Sequence, residues 1–244
     1  MIGNNDLDWL VLNYPGINYI KTKDIFKGCL WFRMSYSSST GNGVINPNEE
    51  INLEDSFCIE DVFEIRFKVN ENQAKITAWE TNGRILHTKN KWKFSYADVH
   101  MYEDGSLCLC TEPEEKLLFV DNFRMPRFFY RILIPYFYYQ SYLDKFGKEP
   151  WKSSSHGTLG ILESYDRQLN DDQPLELVVN HYLDSIEPFL KRIICENKPL
   201  SILCLCGKGK KFKNCHKIAF SGLKKLQRDY LIIKRSNFKR NNKK

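Results

Sequence analysis

The residue types best suited to bind a metal are gathered in one short segment near the C-terminal end of the chain. The candidate ligands are Cys204, Cys206, Cys215 and His216. A zinc ion takes four soft or borderline ligands in a tetrahedron, and three cysteines with one histidine are a common closed set. Because all four ligands would come from protein, the spacing predicts a structural zinc site rather than a catalytic one. The alternative is a reduced, metal-free basic loop.

Two glycines support the same prediction. The Cys-x-Cys pair needs a tight reversal of the backbone, which Gly207 and Gly209 allow because glycine readily takes positive φ. A segment this short cannot build a hydrophobic core of its own. We therefore expect it to take most of its folding free energy from the bound metal.

The segment Cys-Leu-Cys-Gly-Lys-Gly-Lys-Lys-Phe-Lys-Asn-Cys-His resembles the SEC-C motif. This motif is the zinc knuckle that ends the bacterial translocase motor SecA and recurs in other bacterial proteins. The resemblance covers the four ligand positions, both glycines and the Lys-Lys-Phe-Lys run. Leu205 stands where proline is usual and Lys208 where serine is usual, and neither departure removes a ligand. The resemblance implies zinc as cofactor and a bacterial protein.

Charge is distributed unevenly along the chain. Residues 208–244 contain 14 lysines and arginines and a single acid, Asp229, so this end has a net charge of +13. Because the whole chain has a net charge of +6, the remaining residues together carry −7. A basic segment of this kind suggests an anionic partner such as nucleic acid, the ribosome or an acidic protein surface. The alternative is a solvated, partly disordered end.

Cysteine use and hydropathy bear on the compartment. The chain has eight cysteines, but their spacing does not suggest a disulfide framework. Polar residues interrupt positions 4–8, so no signal peptide is expected. The longest strongly apolar run, 132–139, is too short to span a bilayer and contains Pro135. We therefore expect a cytoplasmic protein in a reducing environment, without a membrane partner.

Hydrophobic periodicity predicts an α+β body, in which an antiparallel meander is flanked by helices. Residues 37–50 are rich in serine, glycine, asparagine and proline and are predicted to form a loop, and a turn is predicted at 70–72. The region 120–146 is dense in aromatic residues that we interpret as core, and it is expected to form helices packed on the sheet, kinked or broken at Pro126 and Pro135. The predicted strands are 28–36, 57–69, 74–80 and a short fourth at 92–94, and the other predicted helices are 6–14, 158–169, 175–196 and 223–233.

Cys108 is a second candidate for chemistry, in the segment Tyr-Glu-Asp-Gly-Ser-Leu-Cys-Leu at 102–109. Asp104-Gly105 is a strong turn signal just before it. Cys108 and Cys110 lie two residues apart in an apolar extended piece, so both could face one side and be inert core residues. Together with His100 they could also be a second set of metal ligands, which is the weakest of these alternatives.

The segment 102–109 resembles the one in which ubiquitin-conjugating enzymes carry their acceptor cysteine, tyrosine-x-x-glycine-x-isoleucine-cysteine-leucine. The predicted order of a helix, an antiparallel meander, a loop with a cysteine and further helices is similar to their RWD-like fold. Residues 79–85, 147–151 and 156–157 resemble pieces of the divergent bacterial branch of that superfamily. The resemblance implies that Cys108 forms a thioester with a ubiquitin-like protein supplied by an activating enzyme.

The resemblance also reveals a departure from the family pattern. Ubiquitin-conjugating enzymes of eukaryotes use the asparagine of a histidine-proline-asparagine tripeptide near the oxyanion, whereas positions 98–100 here read Asp-Val-His. His100 occupies the place of the asparagine, and histidine can donate a hydrogen bond or move a proton near neutral pH. His156 is a second catalytic candidate, or simply a turn residue before a helix.

These observations predict four parts of the chain and leave three functions open. Residues 1–169 form a ubiquitin-conjugating-like domain, 170–199 a linker and amphipathic helix, 200–220 the SEC-C knuckle, and 221–244 a basic helix and tail. In the first interpretation, Cys108 carries a ubiquitin-like protein as a thioester. In the second, the body is a non-catalytic scaffold, and the knuckle and basic tail dock on nucleic acid, ribosome or a protein partner. The third and weakest is a chaperone adaptor similar to SecA.

Overall fold

The computed structural model describes residues 2–45, 56–167 and 173–241, with the side chains of 239–241 left undescribed. Contacts divide the chain into two compact units. The first consists of Met1–Cys110 and Leu118–Ser153, and the second of Thr111–Leu117 and Ser154–Lys244. Helices together with an antiparallel sheet confirm the predicted α+β class. In the described part of the chain, no helix is both long and apolar enough to cross a membrane.

The first unit is built on a five-stranded antiparallel sheet with the order β1-β2-β4-β5, in which β3 also pairs with β2. Its strands are β1 (Ile17–Ile20), β2 (Ile25–Ser37), β3 (Gly43–Ile45), β4 (Ser56–Asn70) and β5 (Lys75–Glu80). Strand β4 pairs with β2 from Phe26 to Ser37, so β1 and β3 share the opposite edge of β2. The predicted antiparallel strands at 28–36, 57–69 and 74–80 are confirmed, but β3 intervenes in the chain between β2 and β4, so these strands are not a simple meander. Strand β1 was not predicted, and β3 falls in the predicted loop 37–50, whose residues 46–50 lie outside the described part.

One face of this sheet is buried under helices. Inward residues of β4 alternate with exposed ones, as expected for a strand with one solvated face. Phe63 packs against Phe137, and Phe67 packs against Phe128 and Phe129. The helices of this unit are α1 (Asn4–Asn13), α2 (Arg84–Trp92), α4 (Met125–Phe128) and α5 (Ile134–Phe146), and a π-helical turn (Phe129–Leu133) joins the last two.

The two prolines of the aromatic region lie in different settings. Pro126 is in the first turn of α4, where its missing N–H would have no partner within the helix. Pro135 lies directly after the π-helical turn in a run that stays helical, since Leu133 and Ile134 both have right-handed helical φ and ψ, so the chain is not broken there. The start of α4 is also capped, because the buried carboxylate of Asp6 accepts a hydrogen bond of 2.7 Å from the N–H of Met125.

Two predictions of secondary structure are wrong. The short strand predicted at 92–94 is the end of helix α2 followed by Lys93 in a left-handed conformation, with φ of 59°. Residues Ile85 and Thr88 of this helix are buried, which shows helical rather than alternating burial. The single helix predicted at 175–196 is two helices, α7 (Leu175–Ser185) and α8 (Pro188–Cys195). Pro188 separates them, because proline cannot continue a helix from the preceding turn.

The second unit is a group of helices around the long helix α10 (Lys217–Asn241), which extends beyond the helix predicted at 223–233. Its other helices are α3 (Glu112–Leu117), α6 (Gly157–Arg167), α7, α8 and α9 (Phe212–Cys215). Helix α6 lies directly against α10. At Gly222, a Cβ would overlap the carbonyl oxygen of Leu162. Tyr165 of α6 donates a hydrogen bond of 2.9 Å to the buried carboxylate of Asp229.

This packing places residues 154–167 in the same compact unit as the C-terminal helices, although the sequence assigned them to the domain 1–169. The close backbone approach at Gly222 is a contact between distant segments, so local sequence patterns do not reveal it. The predicted boundaries at 199 and 220 stay predictions. Three predicted pieces lie partly outside the described residues. They are the end of the helix predicted at 158–169 (residues 168–169), the start of the linker and helix predicted at 170–199 (residues 170–172), and the end of the tail (residues 242–244).

Candidate functional site

Four side chains of the second unit converge on one point near the start of α10. The ligand atoms of Cys204, Cys206, Cys215 and His216 all lie within 4.8 Å of one another. Cys204 Sγ is 3.1 Å from His216 Nδ1, and Cys206 Sγ is 3.5 Å from Cys215 Sγ. The arrangement could hold one metal ion. The predicted ligand set is thus brought together.

The first two cysteines are positioned by a narrow backbone loop. The N–H of Cys204 donates to the carbonyl of Lys210 at 2.8 Å, and the N–H of Phe212 donates to the carbonyl of Ile202 at 3.0 Å, so two short stretches are paired. Between them, Gly207 and Gly209 have φ of 74° and 66°. These left-handed conformations favour glycine and reverse the chain within a few residues, as the sequence predicted.

The last two ligands are positioned by helices. Cys215 ends the short helix α9, and His216 follows it and directly precedes α10. Phe212 at the start of α9 is fully buried, and its ring packs edge-to-face on Phe220 of α10 with centroids 5.7 Å apart. This aromatic contact anchors α9 on α10, so Cys215 and His216 are held between two helices.

The thiols at this point influence one another's protonation. A hydrogen bond from the backbone N–H of Lys208 lowers the pKa of the Cys206 thiol. The pKa of Cys215 is raised to about 11, chiefly by its hydrogen bond with Cys206. Cysteine binds a metal as the thiolate, so a metal ion that binds here has to displace the thiol protons of the three cysteines.

Cys108 lies in the first unit, on a segment fixed to the edge strand β5. After the turn at Asp104-Gly105, Leu107 donates a backbone hydrogen bond of 2.9 Å to the carbonyl of Ala78. Cys108 itself is partly exposed, and its N–H donates to the carbonyl of His100 at 2.8 Å. Its backbone is therefore held at a partly exposed position.

His100 is held in an uncommon backbone conformation. Its φ of 46° lies in the left-handed region, which only a few per cent of non-glycine residues adopt. Tyr136 of α5 donates to the carbonyl of His100 at 3.0 Å, and Gln140 donates to the carbonyl of Val99 at 2.8 Å. The His100 ring also packs edge-to-face on Tyr139, with centroids 5.5 Å apart. Helix α5 thus fixes the backbone at 99–100.

The remaining candidate, His156, is an exposed residue directly before α6 in the second unit. Its neighbour Ser155 donates from N–H and Oγ to the buried carboxylate of Glu163, at 2.7 and 3.0 Å. Roles for Cys108, His100 and His156 in catalysis stay predictions. Among the described residues, the four residues at 204–216 are the one such group of histidines, cysteines and acids, so Cys108, Cys110 and His100 do not form a second metal site.

Sequence reasoning missed the residues that support Cys108 and His100. Tyr136 and Gln140 lie in a helix whose residues were interpreted as core, and both are buried. A polar amide such as Gln140 inside an aromatic run is the signal that could have indicated them, because a buried amide needs a hydrogen-bond partner.

Comparisons of the chain with protein-family models, with curated proteins and with solved structures find no match.

Proposed function

We propose that the protein is a zinc-stabilised carrier of a ubiquitin-like protein, with an RWD-like first unit that bears the thioester on Cys108. One observation carries the proposal. The partly exposed Cys108 is bound through its backbone to His100, a non-glycine residue in the left-handed region. Backbone strain of this kind concentrates at functional sites, and a nucleophile works best on a fixed support.

The reaction needs a nucleophile and a donor for the oxyanion. The Cys108 thiolate attacks the carbonyl carbon of the thioester that joins the C-terminal glycine of the ubiquitin-like protein to an activating enzyme. A new C–S bond forms through a tetrahedral oxyanion, and the thiolate of the activating enzyme leaves. In this proposal, His100 donates a hydrogen bond to the oxyanion. An acceptor amine then attacks the same carbon, loses a proton and releases Cys108.

The proposal is tested with ubiquitin supplied as a C-terminal alkyl thioester, so that no activating enzyme is needed. We expect an adduct that thiol reductant cleaves and that is absent in Cys108→Ala. The matched control is Cys110→Ala, two residues away and also partly exposed. An adduct of equal yield in Cys108→Ala would refute the role of Cys108.

The zinc centre is the second element of the proposal. Tetrahedral zinc with Zn–S bonds of about 2.3 Å places its sulfurs ~3.8 Å apart. The Cys206–Cys215 separation of 3.5 Å is close to this value. Three thiolates and one neutral imidazole around Zn²⁺ carry one net negative charge, and Lys208, Lys210 and Lys211 lie on the same loop. A filled ligand set supports folding rather than catalysis.

Metal analysis of the purified chain tests this centre. We expect one zinc per chain, and loss of most of it in Cys204→Ala. The matched control is Cys58→Ala, which removes an exposed cysteine from strand β4 in the other unit. Full zinc content in the Cys204 variant would exclude the proposed ligand set.

A non-catalytic scaffold is the second candidate function. It is favoured by the exposed lysines around the ligand cluster, because a cationic surface suits the docking of an anionic partner. Labelling the native protein with a thiol reagent, followed by mapping, separates the two candidates. If Cys108 stays unlabelled in the folded protein while the exposed Cys58 is modified, the sulfur is inaccessible and the result favours the scaffold function.

A further inference from the structure

A groove in the second unit runs between the ligand cluster and helix α10. Its volume is about 580 Å³. One wall comes from the stretch 199–202 and from Lys211 and Lys213 of the metal-binding segment, and the other comes from α10. The α10 residues that line it are Phe220, Lys224, Gln227, Arg228, Leu231, Ile232 and Arg235.

The lining cations form a line along α10. Lys224, Arg228 and Arg235 are spaced at i, i+4 and i+11, which places them on one face of a helix. At 1.5 Å per residue, the groove follows α10 for about 22 Å from Phe220 to Arg235. Lys211 and Lys213 add two more positive charges from the opposite wall.

These charges have little compensation within the groove. The described residues that line it include five lysines and arginines and no acid. Arg228 Nε lies 3.1 Å from the carboxylate of Asp229. That carboxylate also accepts a hydrogen bond from the hydroxyl of Tyr165 and is buried in the interior of the unit. A side-chain exposure of 68% leaves the Arg228 guanidinium, which has five donors, able to contact a ligand as well.

Part of the lining, here called the apolar floor, consists of Leu200, Ile202, Phe220, Leu231 and Ile232. A charged surface that is merely solvated would not require such an apolar lining. Ile232 is 47% exposed on a helix whose neighbouring turns carry lysine and arginine. An apolar strip flanked by charge is typical of a binding surface.

We propose that this groove binds single-stranded nucleic acid, with phosphates on the lysines and arginines and bases against the apolar floor, where Phe220 offers an aromatic ring. Grooves that combine cations with stacking side chains are the usual design for single strands. A duplex fits less well, because its bases are stacked inside and only their edges are accessible. The inference specifies the partner of the docking function proposed for the scaffold and does not depend on Cys108.

The test measures the binding of a fluorescent ten-nucleotide oligouridine to the full chain by anisotropy. We compare Lys224→Gln/Arg235→Gln with the control Lys217→Gln/Lys234→Gln, which removes equal charge from α10 outside the groove. If two phosphate contacts are lost, each contributing a salt slope of ~0.7, affinity at 0.1 M salt falls roughly 20-fold. We expect less than about twofold loss in the control.

Three results would overturn the proposal. They are no binding at low salt, equal losses in both double variants, and competition by polyglutamate or duplex RNA as strong as that by unlabelled oligouridine. The polyglutamate result would identify an acidic protein segment as the partner instead. Zinc content is measured on every sample. A chain with zinc that does not bind the oligonucleotide refutes the groove alone, whereas binding that depends on Lys224 and Arg235 in a chain without zinc refutes only the metal centre.

Discussion

The backbone N–H of Cys108 donates a hydrogen bond of 2.8 Å to the carbonyl oxygen of His100. The bond joins the residue proposed as nucleophile to the residue proposed as oxyanion donor, and it engages neither side chain. Tyr136 donates to the same carbonyl from helix α5. The backbones of Cys108 and His100 are therefore both tied to helix α5. Substitutions at position 100 can change the side chain and the backbone conformation separately, so they distinguish a chemical role of His100 from a conformational one.

Substitutions of His100 are expected to fall into two groups by their effect on stability. Asparagine and glycine tolerate the left-handed region, so His100→Asn and His100→Gly should keep the fold. His100→Val should destabilise it by about 1–2 kcal/mol, because β-branched residues are strained there. Thermal unfolding measures this effect.

The same variants test the proposed chemistry with the ubiquitin thioester. His100→Asn retains a side-chain donor and should form the adduct at a rate near that of the wild type. His100→Gly, equally folded but without a donor, should be slowed about 100-fold, the usual cost of one oxyanion donor. Equal rates in these two variants would show that position 100 has no role in the reaction.

If the four ligands hold zinc as proposed, removing it should loosen the second unit locally. The N–H groups of Cys204 and Phe212 are bonded across the metal-binding loop, so a chelator should abolish their protection from hydrogen exchange. The N–H of Leu107, bonded to Ala78 in the first unit, is the internal control and should keep its protection. Unchanged exchange at Cys204 and Phe212 would mean that the loop folds without metal.

An ion cluster in the first unit predicts acid sensitivity. Burial alone would raise the pKa of Asp61, but hydrogen bonds from Arg84 and Ser141 outweigh this effect and lower the pKa. The pKa of Asp144 is lowered in the same way, by hydrogen bonds from Lys91 and Arg84. Carboxylates with lowered pKa stabilise the fold above their unfolded pKa of ~4, and this contribution is lost as pH falls through the folded value.

Arg84→Met should therefore lower the free energy of unfolding by about 1–3 kcal/mol at pH 7 and by much less near pH 2. Urea denaturation at both pH values measures the difference. Lys68→Met, an exposed cation of strand β4, is the control and should have little effect at either pH. A loss for Arg84→Met that is independent of pH would assign its role to packing on the Phe63 ring, which lies 4.4 Å from the guanidinium carbon.

The packing of α6 on α10 can be tested at one glycine. Because a Cβ at position 222 would overlap the carbonyl oxygen of Leu162, Gly222→Ala should cost about 1–3 kcal/mol of stability. Gly3 is the N-cap of α1, and a Cβ there would come no closer than 3.7 Å to Asp6 Oδ2, so Gly3→Ala should cost only the lost capping preference, about 0.5–1 kcal/mol. Denaturant unfolding compares the two, and equal effects would contradict the close approach.

Local features were predictable from the sequence, and long-range contacts were not. Cys204 and His216 lie within one loop, so spacing alone predicted the convergence of the ligands. Alternation in β2 and β4 likewise predicted the central strands. The helix at 84–92 was missed because the aromatic residues at its end, Trp92 and nearby Phe94, have high strand propensity, and tertiary burial of Ile85 decided otherwise.

Features formed by distant segments were beyond local patterns. Tyr136 donates a hydrogen bond to the carbonyl of His100, 36 positions earlier in the chain, and Gln140 donates to that of Val99, 41 positions earlier. The groove along α10 combines residues 199–202 with a helix face some 20–35 positions later. Side-chain periodicity within one element contains no information about such pairings.

His216 is followed without any spacer by Lys217, the first residue of α10. The ligand cluster and the face of α10 that packs on α6 therefore stand in a fixed rotational relation. One residue inserted between His216 and Lys217 would offset the cluster from that face by about 100°, since each residue of an α-helix contributes a rotation of 360°/3.6. The ligands and the groove wall on α10 could then no longer both keep their places, although every ligand and every lysine remained in the chain. The length of this junction is thus constrained as tightly as the identity of the ligands, and homologous chains with the same groove should show no insertion or deletion there.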